Sequence, residues 1–597
     1  MEGMRGEEKR GLLRKESDAD SIRSFASSST LAATPTSPIE DDDKPSFLLE
    51  QDGEPSFCTT SLPPQPLPWR KTPLTFRGLT SLLLRLLLPV LVPLLPSFLH
   101  PHDPSKPPRR LHATSYLNGL RGVAALVVLH SHFLTNWFYP LRSGYLSSPE
   151  NQYIMQLPIL RLFYAGRASV AIFFVISGFV LSYKPLQLIR KGEQAKVLEV
   201  LGSSVFRRNI RLWVPITFGT AIAALLAFNN LYTPVPTRGE LIPPVFPTWQ
   251  EQMWHWYGDL SQFAFPWKGS GVDGNGAAGL VYNGHLWTIP IEFYGSIVVF
   301  VTVLGLSGVN RGNGGMRMLI GIGLVWYSLA HGRWDVSLFL GGVVLAEWSL
   351  ITSPSSPGLP FHHRPTSRFP DFEDDNETRI DSLRLVRISK KFFAALSLLC
   401  RPAIRKLRPF TGPLNLFLLF VALFLLSYAG ESPSPGHFHD FLVPSTPEVW
   451  EGVGLGREHF WLCIGALLLL FTLTNSTSLQ SPFNSRLAQY LGDVSYSLYI
   501  VHGMVLFTLG TGLWERWTGL VGKEQWVDNG MGELVQVVVM AECKSGQWWK
   551  ALLGCAVLNF VVVFWCADLF WRVVDGRMPR WGRCVEGLVS GKRRSSR

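Results

Sequence analysis

Between about residue 117 and residue 571 the chain repeats one pattern: roughly 20 predominantly apolar residues, then a polar connection. Inside hydrocarbon every backbone N–H and C=O needs a partner, so such stretches form helices or a closed barrel. Continuous apolar runs of this length, rather than short alternating ones, select helices. Ten candidate spans fall at 117–138, 166–184, 212–229, 286–306, 316–331, 335–352, 412–429, 458–475, 488–511 and 549–571. The expected fold is therefore an all-α polytopic membrane protein. Composition agrees: 47% of the 597 residues are apolar and 17% charged, against about 25% charged in a soluble domain. The seven cysteines form no CxxC pair, which removes zinc modules and disulfide scaffolds. An eleventh apolar stretch, 79–99, contains Arg85, Pro89, Pro93 and Pro96, and suits an interfacial or re-entrant segment as well as a span.

The net charge of +11 is an average over unlike parts. Residues 1–60 hold 7 basic and 13 acidic side chains, so the remaining 537 carry +17. Residues 1–75, rich in Ser, Thr, Pro and acids, read as a disordered cytosolic tail with no signal-peptide layout, and 76–114 as a Pro-rich apolar segment with a basic connector. The membrane domain is expected over 115–575, with a basic tail at 576–597. Lys and Arg fall in alternate connections: 184–211, the link holding Arg311 and Arg317, the insert 352–411 with eleven basic against six acidic residues, and the C-terminus. The connections 230–284 and 430–457 are acidic or neutral. Ten crossings put every basic segment on one side, so the positive-inside rule places both termini in the cytosol. The charge thus serves topology, and no nucleic-acid partner is expected.

Ionisable residues within spans are functional hypotheses by default. The first span, Tyr116-Leu117-Asn118-Gly119-Leu120-Arg121 through His130-Ser131-His132, holds the densest set. Arg121 and His132 are eleven residues apart, about three helical turns plus 20°, so they share a face with a rise of about 16 Å. His130 is rotated about 160° from His132 and reads as structural.

Five motifs then resemble the membrane-bound acyltransferase-3 family, in its eukaryotic, fungal-looking form. The family's first helix reads Asp-Gly-Leu-Arg-Gly, an apolar run, then His after ten intervening residues; Arg121 and His132 match, with Asn118 in place of the Asp. Gly166, Val170, Ile172, Phe173, Phe174, Ser177, Gly178 and Phe179 resemble its second motif. Arg207-Arg208-Asn209-Ile210-Arg211 resembles its basic segment, Leu286-Trp287-Thr288 through Glu292 and Tyr294 its Leu-Trp signature with the Tyr one residue early, and Tyr496-Ser497-Leu498-Tyr499 to His502 its late helix. The resemblance spans about 115–575. It implies O-acylation, in particular O-acetylation, of a sugar, lipid or other small hydroxylated acceptor by acyl-CoA, a co-substrate rather than a tightly bound cofactor.

The chemistry assigns roles. A hydroxyl becomes a nucleophile when a base takes its proton, and histidine suits that at neutral pH, so His132 is the expected base. Arg121 is expected in the catalytic set and, with Arg208 and Arg211, as a grip for CoA phosphates, which planar guanidiniums bind in oxygen pairs. Glu292, His502 and Asn118 are supporting candidates. Glu292, seven residues after His285, is placed on nearly the same helical face. Each has a structural reading: a hydrogen-bonded core histidine, snorkelling arginines, an internal ion pair. Ser177-Gly178 reads as a packing notch. No Gly-x-Ser-x-Gly elbow, Walker loop or metal-ligand pattern occurs. The rival class is a non-catalytic or proton-coupled transporter or sensor on the same fold, for which no inverted repeat is visible.

Overall fold

A computed structural model describes residues 95–100, 111–233, 243–265, 280–309, 314–352, 411–430, 434–451, 455–513, 523–528, 534–539 and 546–590. The tail 1–75 and nearly all of the insert 352–411 lie outside the described residues, as does most of 79–99. Each of the ten expected spans is a helix: α1 Ser115–Trp137, α2 Gly166–Lys191, α3 Gln194–Phe228, then, after the connecting helix α4 Trp249–Phe263, α5 Thr288–Ser307, α6 Gly314–Ala330, α7 Trp334–Thr352, α8 Thr411–Leu426, α9 Gly456–Thr474, α10 Arg486–Val505 and α11 Gly546–Val573. Helix α12, Met578–Val589, follows the last of them.

Eight of these segments are long and apolar enough to cross a membrane. Helices α6 and α8 have 17 and 16 residues, about 25 Å of rise against a hydrocarbon core of about 30 Å. Eight spans are thus supported by length, where ten were expected. The third segment departs the other way. Helix α3 runs 35 residues, about 52 Å, and begins 18 residues before the expected start at 212. Arg207, Arg208 and Arg211, expected in a connection, therefore lie on a continuous helix. Between α10 and α11 sits a short antiparallel ribbon, β1 Lys523–Asp528 with β2 Leu534–Val539, registered from Lys523↔Val539 to Asp528↔Leu534.

Two helix pairs dominate the packing, α1 along α10 and α2 along α7. In the second pair, a Cβ at Gly178 would run into the Phe339 carbonyl and one at Gly342 into the backbone of Val175 and Phe179. The small residues let the two backbones touch, as membrane helix packing favours. The buried Glu347 of α7 accepts from Arg317 of α6 at 2.8 Å and Arg190 of α2 at 3.1 Å. Removing one partner of such a triad leaves a buried charge, a loss of roughly 3–5 kcal/mol.

Candidate active site

Three histidines meet near one end of the α1–α10 pair. His132 lies in the last turns of α1, His502 in the last turn of α10, and His285 on the 3-10 turn Gly284–Trp287 that precedes α5. Ring centroids are 4.0 Å apart for His132 and His285, 4.8 Å for His285 and His502 and 5.2 Å for His132 and His502. His285 and His502 are buried, while His132 is partly exposed. His502 donates from Nδ1 to the Leu498 carbonyl at 3.1 Å in the tautomer that leaves Nε2 as acceptor. That Nε2 is buried with no hydrogen-bond partner among the described residues. Immediately beyond, Leu506–Gly510 widens into a π-helix, a distortion frequent at functional sites.

His285 was not singled out from the sequence, and its placement is the most heavily determined of the three. The strap 280–287 that carries it is fastened to α4: Asp259 accepts from the Val281 N–H at 2.9 Å, Gln252 donates to the Tyr282 hydroxyl at 2.8 Å, and His255 Nδ1 bonds the same hydroxyl at 3.0 Å. It is fastened to α10 as well: Asn283 donates to the Ile500 carbonyl at 2.8 Å, and the Tyr499 hydroxyl donates to the His285 carbonyl. A Cβ at Gly503 would strike the His285 ring, so this glycine lets the strap lie against α10. Helix α4 is started by a capping box, Thr248 with Glu251, which stabilises the base of the fastening.

The expectation that His285 and Glu292 share a helical face fails because α5 begins only at Thr288. The 3-10 turn breaks the wheel, and the two side chains serve different clusters. Glu292 accepts from Arg208 at 2.8 Å and from the Ser177 hydroxyl at 3.2 Å. Arg121 donates to the Gly492 carbonyl at 2.7 Å and to Asn118 Oδ1 at 3.0 Å. Asn118 in turn donates to Asp493 at 3.1 Å: with no carboxylate at 118, one is supplied across the helix interface by α10. Arg211 is exposed, and Arg211, Asp575 and Glu292 all lie within electrostatic range of Arg121. Arg207 turns away to Glu586 of α12.

The bundle therefore has an arginine cluster toward one end of α1 and a histidine cluster about 16 Å along the same helix. His130 belongs to neither; it bonds the Leu126 carbonyl at 2.8 Å and rests edge-on against Phe560 of α11. The three histidines offer one ligand nitrogen each, all within 4.8 Å of one another. Ligands of a tetrahedral zinc stand about 3.4 Å apart, so the rings would have to close up to hold a metal.

The helices of a multi-pass membrane protein thus hold a histidine cluster and a separate cationic cluster, and sequence comparison gives the family. A family model described as an acyltransferase domain matches residues 114–568. The O-acetyltransferase PaAT-1 of Phomopsis amygdali is 30% identical over 442 residues, covering 70% of this chain and 78% of that protein. Acyltransferase R4 of a Phoma species is 23% identical (70% and 88% covered), and acyltransferase clz18 of Cochliobolus lunatus 22% (72% and 90%). No solved structure gives a significant match. The chain belongs to the acyltransferase-3 family and is an acyltransferase of groups other than aminoacyl.

Proposed function

We propose that this membrane enzyme transfers an acyl group, in the first instance acetyl, from acyl-CoA to a hydroxyl of a sugar, lipid or other small acceptor. The observation that carries this reading is the pair of clusters on one face of α1. Their separation of about 16 Å matches the reach of a pantetheine arm. Phosphates bind at Arg211 and Arg121, with Arg208 held in place by Glu292, and the thioester lies toward His132. His132 takes the proton of the acceptor hydroxyl as its oxygen attacks the thioester carbon. The C–S bond breaks, and the proton passes from His132 to the departing thiolate, giving CoA as a free thiol and an acyl ester. His285 and His502 hold the His132 ring and share its positive charge while the proton resides there. The positive-inside rule orients the arginine end toward the cytosol, where acyl-CoA is available, with both termini on that side.

The test uses the full chain in lipid nanodiscs with radiolabelled acetyl-CoA and an extract of candidate hydroxylated acceptors. Label appearing in ester-linked product, with stoichiometric free CoA, supports the reading. Absence of both, with ester formed from a different activated acyl donor under the same conditions, overturns acyl-CoA as the donor.

A further inference from the structure

The last helix carries a surface that the acyl-transfer chemistry does not use. Helix α12 follows α11 through the turn Asp575–Arg577 and packs on the N-terminal half of α3, with Met578 and Gly582 buried and Glu586 paired to Arg207 at 3.5 Å. A second face is left uncovered. Trp581, Val585 and Leu588, at positions i, i+4 and i+7, are 53%, 39% and 78% exposed, and Val589 beside them is 74% exposed. These positions fall within about 60° of one another on the helix wheel. Exposed Arg580 borders the stripe on the side away from α3, exposed Arg583 lies about 160° from Trp581 on the opposite, polar face, Arg577 lies at the helix entrance, and the sequence continues with Lys592, Arg593, Arg594 and Arg597.

We infer that α12 is an interfacial helix whose Trp581–Val585–Leu588 face enters the acyl-chain boundary of the membrane while its arginines engage anionic phospholipid headgroups. An apolar stripe that contains a tryptophan, with arginines at its edge and on the opposite polar face, is the pattern of a helix lying in the interface plane. Three considerations select a lipid surface over a protein groove. The helix directly follows a membrane span, it is already held at the basic end of the bundle by Arg207, and its charge complements an anionic leaflet. The consequence reaches the arginine cluster. Asp575, at the start of the turn, lies within electrostatic range of Arg121 and Arg211 and accepts from Ser497 at 3.3 Å, so anchoring α12 also anchors that carboxylate.

The experiment is hydrogen–deuterium exchange on the full chain in nanodiscs of phosphatidylcholine alone, or of phosphatidylcholine mixed with phosphatidylserine. Amides of α12 are expected to exchange roughly tenfold more slowly in the anionic discs. The paired substitution Arg580→Glu and Arg583→Glu should abolish that difference, and Trp581→Ser with Leu588→Ser should speed exchange in both discs; α1 and α10 should stay unchanged throughout and report an intact fold. Equal exchange of α12 in both lipids, with no response to either pair of substitutions, overturns the proposal. So does equal protection in lipid-free detergent accompanied by dimers, which would assign the face to a second copy of the chain.

Discussion

The two ends of α1 solve the problem of polar groups in a bundle in opposite ways. Around Arg121 the protein gathers charges of both signs: Arg208 on Glu292, Arg121 on Asn118 beside Asp493, and Arg211 within range of Asp575. Around His132 it gathers rings that can be neutral, with no carboxylate in the cluster among the described residues, and it fixes His502 through a backbone carbonyl and His285 through a fastened strap. A region of compensated charge can admit a polyanion by exchanging one partner for another. A region of neutral imidazoles suits a proton that arrives and leaves within one reaction. Under the proposed function the difference separates binding from chemistry along a single helix, and that separation can be broken experimentally.

The largest effect is expected at His132. His132→Ala should lower acyl transfer by about 10²–10⁴-fold, the usual worth of a positioned base. Thermal stabilisation of the detergent-solubilised protein by acetyl-CoA should persist, because the arginine cluster is untouched. If stabilisation disappears along with activity, the two ends do not act separately.

That division was only half legible in the sequence. Helix positions followed from apolar length, and the registry of Arg121 with His132 followed from helical geometry, because both lie within one uninterrupted helix. His285 escaped because it sits on a strap outside any α-helix. Its location is set by Asp259, Gln252 and Tyr282, contacts that close between α4 and the strap and have no periodic signature. Placing it on the same wheel as Glu292 extended α5 through a 3-10 turn that the apolar run did not announce. The partner of Arg208 could be anticipated as Glu292 by type, since a carboxylate within a span needs a cation. The contacts of Asp493 and Asp575 could not be, because each is brought in from a segment, α10 or the turn after α11, more than 350 residues away from Arg121 in the chain. What the sequence contributes there is only that the late helices carry acids at all.

A smaller effect is expected at the other end of α1. Arg121→Ala should raise the KM for acyl-CoA by roughly ten- to a hundredfold, the range for losing a charged hydrogen bond, with kcat changed less. Acetyl-CoA should no longer stabilise the variant, and Arg121→Lys should restore part of the binding because the charge returns without the planar fork. A fall in kcat with KM unchanged would move Arg121 from the binding group to the reacting one.

The smallest effect concerns the fastening of the strap. Burial pushes the Asp259 carboxyl above the usual carboxylate range, and the N–H groups of Val281 and Tyr282 oppose that shift without cancelling it. An acid whose folded pKa is raised binds its proton more tightly when folded. Its stabilising contribution is therefore fully present below the unfolded value and is lost as pH rises through the folded one. At neutral pH the ionised carboxylate is a net liability that the Val281 hydrogen bond only partly offsets. Asp259→Asn keeps an acceptor for Val281 and removes the buried charge, so its Tm should exceed that of the wild type at neutral pH. The gap should close as pH falls and the wild-type carboxyl takes up its proton. A variant less stable at neutral pH would show that the hydrogen bond outweighs the burial. The strap that presents His285 would then be held by charge, as the arginine end is, and the contrast between the two ends of α1 would narrow to the rings themselves.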